Sequence, residues 1–167
     1  MPQSVGTQVI ILAAHKLYRA AWDALLAQQP GIEVWGTATN QDDLSALPLP
    51  VEPSVVLVDF PSPSTEIISD IAQIRPNCGL LVMVNHYDLA ETVALLQAGT
   101  TGSLSRDATV ADLARAVIAA SRREIVLPPS LAAKALAALA RGEVTQKQSD
   151  IDALTGCCQS RIRRIGH

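Results

Sequence analysis

The sequence predicts an α/β fold in which helices cover both faces of a parallel sheet. Short apolar runs alternate with longer segments of helical spacing, and several of these segments stop at a proline or a glycine. Strands that alternate with helices are joined by right-handed crossovers and form a parallel sheet. We therefore expect a flavodoxin-like, doubly wound, five-stranded parallel sheet with the strand order 2-1-3-4-5, followed by a C-terminal linker helix.

Each strand is predicted from its own apolar run. The first, third and fourth runs are continuous, which is typical of parallel strands that are buried on both faces. The second run alternates, and the fifth is short. The predicted strands cover residues 8–14, 32–37, 54–58, 79–84 and 102–105.

The helices are predicted from their spacing, their capping residues and their stop signals. They cover residues 16–29, a short stretch after Asn40, residues 64 or 65 to 75, residues 87 or 88 to 98, and residues 107 or 109 to about 122. The first helix is predicted from the spacing of its apolar face, which consists of Leu17, Ala20, Ala21, Ala24 and Leu25.

The bulk properties exclude several classes of protein. The 167 residues suffice for one domain and an appendage, and we assign residues 1–124 to the domain, 125–147 to a linker with a helix, and 148–167 to a tail. A net charge of -3 gives no electrostatic case for nucleic-acid binding by this chain itself. The sequence has no apolar run long enough for a membrane span and no signal peptide.

The cysteines bear on the cellular compartment, and the sequence motifs bear on enzymatic activity. We interpret Cys78, Cys157 and Cys158 as free thiols, which predicts a cytoplasmic protein. The sequence shows no nucleophile–base pair and no glycine-rich phosphate loop, so we expect no enzyme.

The most informative carboxylate is Asp59, which follows the apolar run of residues 55–58. In an open α/β sheet, the binding site lies outside the carboxyl ends of the strands. The other strand ends would then line this site, and they carry Ala13 with Ala14, Val84 with Asn85, and Ser105 with Arg106.

Four segments carry a resemblance to a known family: LAAHKLYR (12–19), VVLVD (55–59), QAGTTGSLSRD (97–107) and RREIVLPPS (122–130). In order and spacing they resemble the receiver domain of two-component response regulators, in the branch with a LuxR-type helix-turn-helix. The resemblance covers about residues 8–141. It implies phosphorelay signal transduction and transcription regulation as the setting of this protein.

A short segment of the tail also resembles this family. Residues 153–155 resemble the start of the LuxR-type DNA-binding domain, but no helix-turn-helix follows them. We expect residues 148–167 to be either the start of a missing helix-turn-helix domain or added residues that are not part of the protein. DNA would be bound only through an output domain that this chain lacks.

By this resemblance, the phosphoacceptor of the family falls on Asp59. The other positions of the family's site carry different residue types: Ala13 and Ala14 for an acidic pair, Val84 for a hydroxyl residue, Arg106 for a lysine and Ser103 for a switch aromatic. Alanine cannot hold Mg²⁺ through its side chain, so we expect neither magnesium nor another cofactor. The site is predicted to be degenerate.

The loss of the acidic pair suggests a different role for Asp59. The guanidinium of Arg106 is a permanent, fork-shaped donor that suits a carboxylate. Our hypothesis is that an Asp59–Arg106 ion pair holds the domain in one state; the alternative is that Asp59 is a vestige that merely ends a strand. We also considered a metal site of His15, His86 and Asp59, but no close ligand spacing supports it, and we predict no metal.

The sequence thus predicts an atypical, phosphorylation-independent receiver domain that acts through dimerisation or partner docking. One alternative is a conventional phospho-switch at Asp59 with a weakened magnesium site. A second is a small-ligand sensor with a cleft above Ala13, Ala14 and Val84. The resemblance implies a homodimer through the first, fourth or fifth helix, with a sensor kinase or another regulatory protein as partner.

Overall fold

The computed structural model describes residues 6–141 and contains a parallel sheet of five strands. The strands are β1 (Thr7–Ala13), β2 (Ile32–Ala38), β3 (Ser54–Asp59), β4 (Gly79–Val84) and β5 (Gly102–Ser105). Their order is β2-β1-β3-β4-β5, and each neighbouring pair is parallel. The predicted doubly wound, flavodoxin-like sheet is confirmed.

The helices follow the strands in the predicted alternation. They are α1 (Lys16–Ala27), α2 (Gln41–Ala46), α3 (Thr65–Ile74), α4 (Leu89–Ala98), α5 (Val110–Ser121) and α6 (Pro129–Ala140). The chain divides after Pro128 into two compact units, and α6 belongs to the second. No helix among the described residues is long and apolar enough to cross a membrane. The predicted tail at residues 148–167 lies outside the described residues.

Two apolar layers hold the first unit together, one on each face of the sheet. Alternate residues of the same strands point to opposite faces, so Ile11 and Leu57 belong to one layer and Ile10 and Val56 to the other. The first layer packs against α1 and α5, and the second against α2, α3 and α4. This two-sided burial explains why the strand sequences are continuously apolar.

The inward face of α1 differs from the prediction. Leu17 is 77% exposed, and Ala20, Ala21 and Ala24 are exposed as well. Leu26 is buried instead, and Trp22 packs against the first apolar layer. Burial of apolar surface stabilises in proportion to its area, so the large Trp and Leu side chains outweigh the row of alanines.

Side-chain caps begin four of the helices at predicted positions. Asn40, Ser64, Asp88 and Thr109 each accept a hydrogen bond from the backbone N–H three residues later. These caps satisfy N–H groups that have no partner within the helix. By contrast, His15 precedes α1 and makes no side-chain cap bond.

Helix α5 approaches β4 at Gly79 so closely that no side chain fits between them. A Cβ atom on Gly79 would lie 2.1 Å from the carbonyl oxygen of Ala120, which belongs to the helix backbone. We predict that Gly79→Ala lowers the free energy of unfolding by about 3 kcal/mol, because α5 must shift. Urea denaturation measures this change.

The control for this prediction is Gly36→Ala, in strand β2. There the added Cβ would lie 3.3 Å from carbon atoms of the Leu47 side chain, which can rotate away. The expected loss is below about 1 kcal/mol. Equal losses for the two variants would contradict the close contact between α5 and Gly79.

A reciprocal pair of hydrogen bonds begins α5. The Asp112 N–H donates to Thr109 Oγ1 at 3.1 Å, and the Thr109 hydroxyl donates to Asp112 Oδ2 at 2.8 Å. The hydrogen bond from Thr109, with a further contribution from Arg115, holds the pKa of Asp112 below its ordinary value of 3.8. A lowered carboxyl pKa stabilises the fold above the unfolded-state value, and this contribution is lost as the pH falls through the lower folded value.

We predict that Thr109→Ala raises the pKa of Asp112 toward 3.8, as measured by NMR titration of its carboxyl group. Loss of the Thr109 cap should also cost about 1 kcal/mol of stability at neutral pH. The stability difference from the parent protein should narrow as the pH falls below 3.8. Ser64→Ala, which removes the cap of α3, should leave the Asp112 titration unchanged. An unshifted titration in Thr109→Ala would refute the assigned cause.

Candidate functional site

Asp59 ends the central strand β3 and is almost completely buried, at 1% exposure. It pairs across the sheet with Ala13, the last residue of β1. Parallel strands bring their carboxyl ends to one edge, so Val84, at the end of β4, and Arg106, directly after β5, belong to this edge as well. A buried charge is costly unless it is paired and hydrogen-bonded. The partners of Asp59 therefore determine what this site can do.

Arg106 supplies the charge that pairs with Asp59. Its Nε donates to Asp59 Oδ1 at 2.9 Å, and its Nη2 donates to the same oxygen. The guanidinium also donates to Asn85 Oδ1 and, at 3.2 Å, to the carbonyl oxygen of Phe60. Its backbone N–H donates to the carbonyl oxygen of Val84 at 3.0 Å. The ion pair expected from the sequence is present, and Asn85 is a further partner.

Trp22 binds the second carboxylate oxygen of Asp59. Its indole Nε1 donates to Asp59 Oδ2 at 2.6 Å from the second turn of α1. Trp22, Asp59 and Arg106 form what we call the Asp59 cluster, in which each carboxylate oxygen accepts a hydrogen bond. The sequence prediction missed Trp22, because it placed the wrong face of α1 toward the sheet.

A row of aromatic rings on α1 extends from this cluster to the surface. His15, Tyr18 and Trp22 are spaced by one helical turn each, which aligns them on one face. The rings of His15 and Tyr18 are nearly perpendicular, with their centroids 5.6 Å apart, and the guanidinium carbon of Arg106 lies 5.9 Å from the Tyr18 ring centroid. This spacing is the sequence signal that could have identified Trp22.

A cation lies at the strand end where the family's acidic pair was expected. Ala13 is buried and Ala14 is exposed, and their carbonyl oxygens accept hydrogen bonds from Arg19 Nη1 at 2.6 and 3.1 Å. Asp59 carries the one carboxylate among Ala13, Ala14, Asp59 and Val84. Within residues 6–141, no group of three or more His, Cys, Asp or Glu side chains could hold a metal ion.

Ser103 and Tyr87 lie on the α4 side of β5. Ser103 is 1% exposed, pairs with Val82 of β4, and its hydroxyl has no hydrogen-bond partner. Tyr87 packs against the second apolar layer, and its hydroxyl accepts a hydrogen bond from the Ser105 N–H at 2.7 Å. This bond joins the segment before α4 to the end of β5, beside Arg106. The sequence prediction did not include it.

The fold matches that of response regulator receiver domains, although no family model matches the chain. The relatives found are regulators of transcription. The transcriptional regulatory protein LiaR of Bacillus subtilis (strain 168) is 27% identical over 135 residues, covering 79% of this chain and 64% of LiaR. The nitrate/nitrite response regulator protein NarL of Escherichia coli (strain K12) is 26% identical over 152 residues, covering 88% and 69%.

Solved structures give the same result. A LuxR family DNA-binding response regulator from Silicibacter pomeroyi superposes with a TM-score of 0.61 at 26% identity, covering 74% of this chain and 98% of that one. A LuxR-family two-component response regulator from Aurantimonas sp. SI85-9A1 has a TM-score of 0.62 at 20% identity, covering 75% and 91%. The chain therefore has the receiver fold, is similar to LuxR-family response regulators, and spans less than two thirds of LiaR.

We predict that Arg106→Ala lowers the free energy of unfolding by about 3 kcal/mol, because it leaves the buried carboxylate of Asp59 without its counter-charge. Chemical denaturation at neutral pH measures the loss. The matched control is Arg115→Ala, which breaks the exposed Asp112–Arg115 pair on α5. Exposed pairs contribute little, so this variant should be nearly as stable as the parent protein. Similar losses in the two variants would argue against the importance of the buried pair.

Proposed function

We propose that this chain is the receiver part of a transcription-regulating response regulator that works without phosphorylation of Asp59. The observation that carries the proposal is the Asp59 cluster. A carboxylate that accepts a phosphoryl group must attack phosphorus with one of its oxygens. Here Arg106 donates two hydrogen bonds to Oδ1 and Trp22 donates one to Oδ2, so an attacking oxygen would lose part of this stabilisation as its negative charge moves into the new bond to phosphorus. Hydrogen bonds to charged groups contribute about 1.5–3 kcal/mol each.

The residues at this edge also do not fit a magnesium ion. Magnesium takes oxygen ligands in near-ideal octahedral geometry, and carboxylates are its usual protein ligands. Ala13 and Ala14 offer only backbone carbonyls, and both accept hydrogen bonds from Arg19. The oxygens of Asp59 are engaged within the cluster. A metal contributes several kcal/mol to the stabilisation of a phosphoryl-transfer transition state, and this donor set does not supply it.

Val84 supports the same proposal. It ends β4, where the resemblance implies a hydroxyl residue, and its apolar side chain offers no hydrogen bond to a phosphoryl oxygen. With an unpartnered Ser103 in place of the family's aromatic, the side chains that would respond to phosphorylation differ at both positions. We propose that the signal is transmitted by dimerisation or by docking of a regulatory partner, and that the chain catalyses no reaction.

Two of the similar proteins are described in terms of transcription or DNA binding. LiaR is named as a transcriptional regulatory protein, and one neighbouring structure contains RcsB dimers bound to DNA. For this chain we propose a homodimer, a sensor kinase or another regulatory protein as partner, and DNA contact only through an output domain. We also propose a cytoplasmic location, which suits the free, buried thiol of Cys78.

The test is to incubate the protein with Mg²⁺ and acetyl phosphate and to measure its intact mass. We predict no stoichiometric gain of a phosphoryl group, because the Asp59 oxygens are engaged and the metal ligands are missing. Asp59→Asn and Asp42→Asn, which changes an exposed acid on α2, are the matched variants. A gain that persists in Asp42→Asn but is lost in Asp59→Asn would establish a conventional phospho-switch and overturn the proposal.

A native mass spectrum of the same sample tests the transmission step. Dimers of the untreated protein, in the same proportion after treatment with the phosphodonor, are expected. Dimers that form only after treatment would contradict phosphorylation-independent signalling. A retained small molecule of defined mass would favour the ligand-sensor alternative over partner docking.

A further inference from the structure

The Asp59 cluster joins two segments that are far apart in the sequence. Trp22 belongs to α1, whereas Arg106 follows β5 and precedes α5. We infer that Trp22 is a positioning residue, which holds the amino-terminal turns of α1 in place through its hydrogen bond to Asp59. This inference deepens the proposed function and rests on its premise that the Asp59 carboxylate remains unmodified.

The start of α1 lacks the features that usually hold a helix end. His15 provides no side-chain cap, and the first turn contains no acidic residue to complement the helix dipole. Leu17 is 77% exposed, so apolar burial does not fix this turn either. Two side chains tie this end to the sheet by hydrogen bonds: Arg19 donates to the carbonyls at the end of β1, and Trp22 donates to Asp59. Tyr18 adds a ring contact with the guanidinium of Arg106. The buried residue Leu26 lies at the other end of the helix.

The hydrogen bond between Trp22 and Asp59 is well suited to hold the start of α1 in place. Its length of 2.6 Å is short for an indole donor, and its acceptor is a charged oxygen with almost no access to water. Loss of this donor would leave Oδ2 buried without its indole partner, which is costlier than the loss of an exposed hydrogen bond. Trp22 is only partly buried, so packing alone fixes its position less firmly than that of a core residue.

The exposed face of α1 would depend on this bond. Tyr18 is one turn before Trp22, is 44% exposed, and lies near the guanidinium of Arg106. His15 contacts the Tyr18 ring in turn. A change at Asp59 therefore reaches this surface by two routes, through Trp22 and through Arg106. The cluster couples the buried carboxylate to the position of the surface formed by His15, Leu17 and Tyr18.

Trp22→Phe tests the inference, because phenylalanine keeps an aromatic ring but has no N–H donor. Hydrogen–deuterium exchange measured by mass spectrometry should show about tenfold faster exchange in α1, and a smaller increase around Arg106, with no change in α3. The matched control is Trp35→Phe, which also loses an indole hydrogen bond, but to the exposed carbonyl of Pro48. It should leave exchange in α1 unchanged. Equal exchange of α1 in Trp22→Phe and the parent protein would overturn the inference.

A double-mutant cycle separates the hydrogen bond from packing. If Trp22 acts through Asp59, Trp22→Phe should change α1 exchange much less in an Asp59→Ala background, which has no side-chain acceptor, than in the parent protein. If Trp22 merely fills space, the effect will be the same in both backgrounds, and the inference fails. This cycle is measured on unmodified protein, so it can fail or succeed whatever the phosphodonor experiment shows.

A second measurement needs no change at Trp22. The protein has two tryptophans, so ¹⁵N NMR should resolve two indole N–H signals. In Asp59→Ala, which removes the acceptor, the Trp22 signal should shift and its hydrogen should exchange about tenfold faster, whereas the Trp35 signal should stay in place. If the two signals respond alike, the bond from Trp22 to Asp59 does not hold α1.

Discussion

The structure of this site depends on how a single buried carboxylate is compensated. Asp59 lies at the end of the central strand with almost no access to water, and a charge in that position would destabilise the fold without partners. Arg106 supplies the opposite charge and Trp22 a second donor. To donate to the Asp59 carboxylate, the guanidinium that follows β5 has to reach the end of β3, and the indole on α1 has to face the sheet. The packing of α1 and the path of the chain after β5 are thus linked through one side chain.

The sheet order explains why such distant residues can meet. With the order β2-β1-β3-β4-β5, the carboxyl ends of β1 and β4 flank that of β3, and β5 lies one strand farther out. A side chain that reaches Asp59 from beyond β5 must therefore be long, and Arg106 meets this requirement while its backbone N–H bonds to the end of β4. On the other side, Arg19 bonds to the carbonyls of Ala13 and Ala14, so a cation also lies at the end of the neighbouring strand β1.

The sequence predicted the sheet and two of the three residues of the Asp59 cluster, and the reasons differ by element. The buried strands could be predicted because a continuous apolar run, such as residues 55–58, is typical of a strand that is buried on both faces. Asp59 and Arg106 were found because a charged residue at a strand end in this topology lies at the common edge. Trp22 was missed because an alanine-rich helix has no unambiguous apolar face, and Leu17 was wrongly placed inward for the same reason. Only tertiary packing decides which stripe of such a helix is buried.

The chemistry of the two donors limits how this cluster can respond to a signal. A guanidinium keeps its charge throughout the physiological pH range, and an indole N–H can donate but cannot accept or bind a metal. Neither Arg106 nor Trp22 can therefore change its role when conditions change, and Asp59 can be released only if one of them moves. On the proposed function, a signal must then displace a structural element rather than alter a bond at the carboxylate. The start of α1, which has no side-chain cap, is such an element, and its residues Leu17 and Tyr18 are exposed.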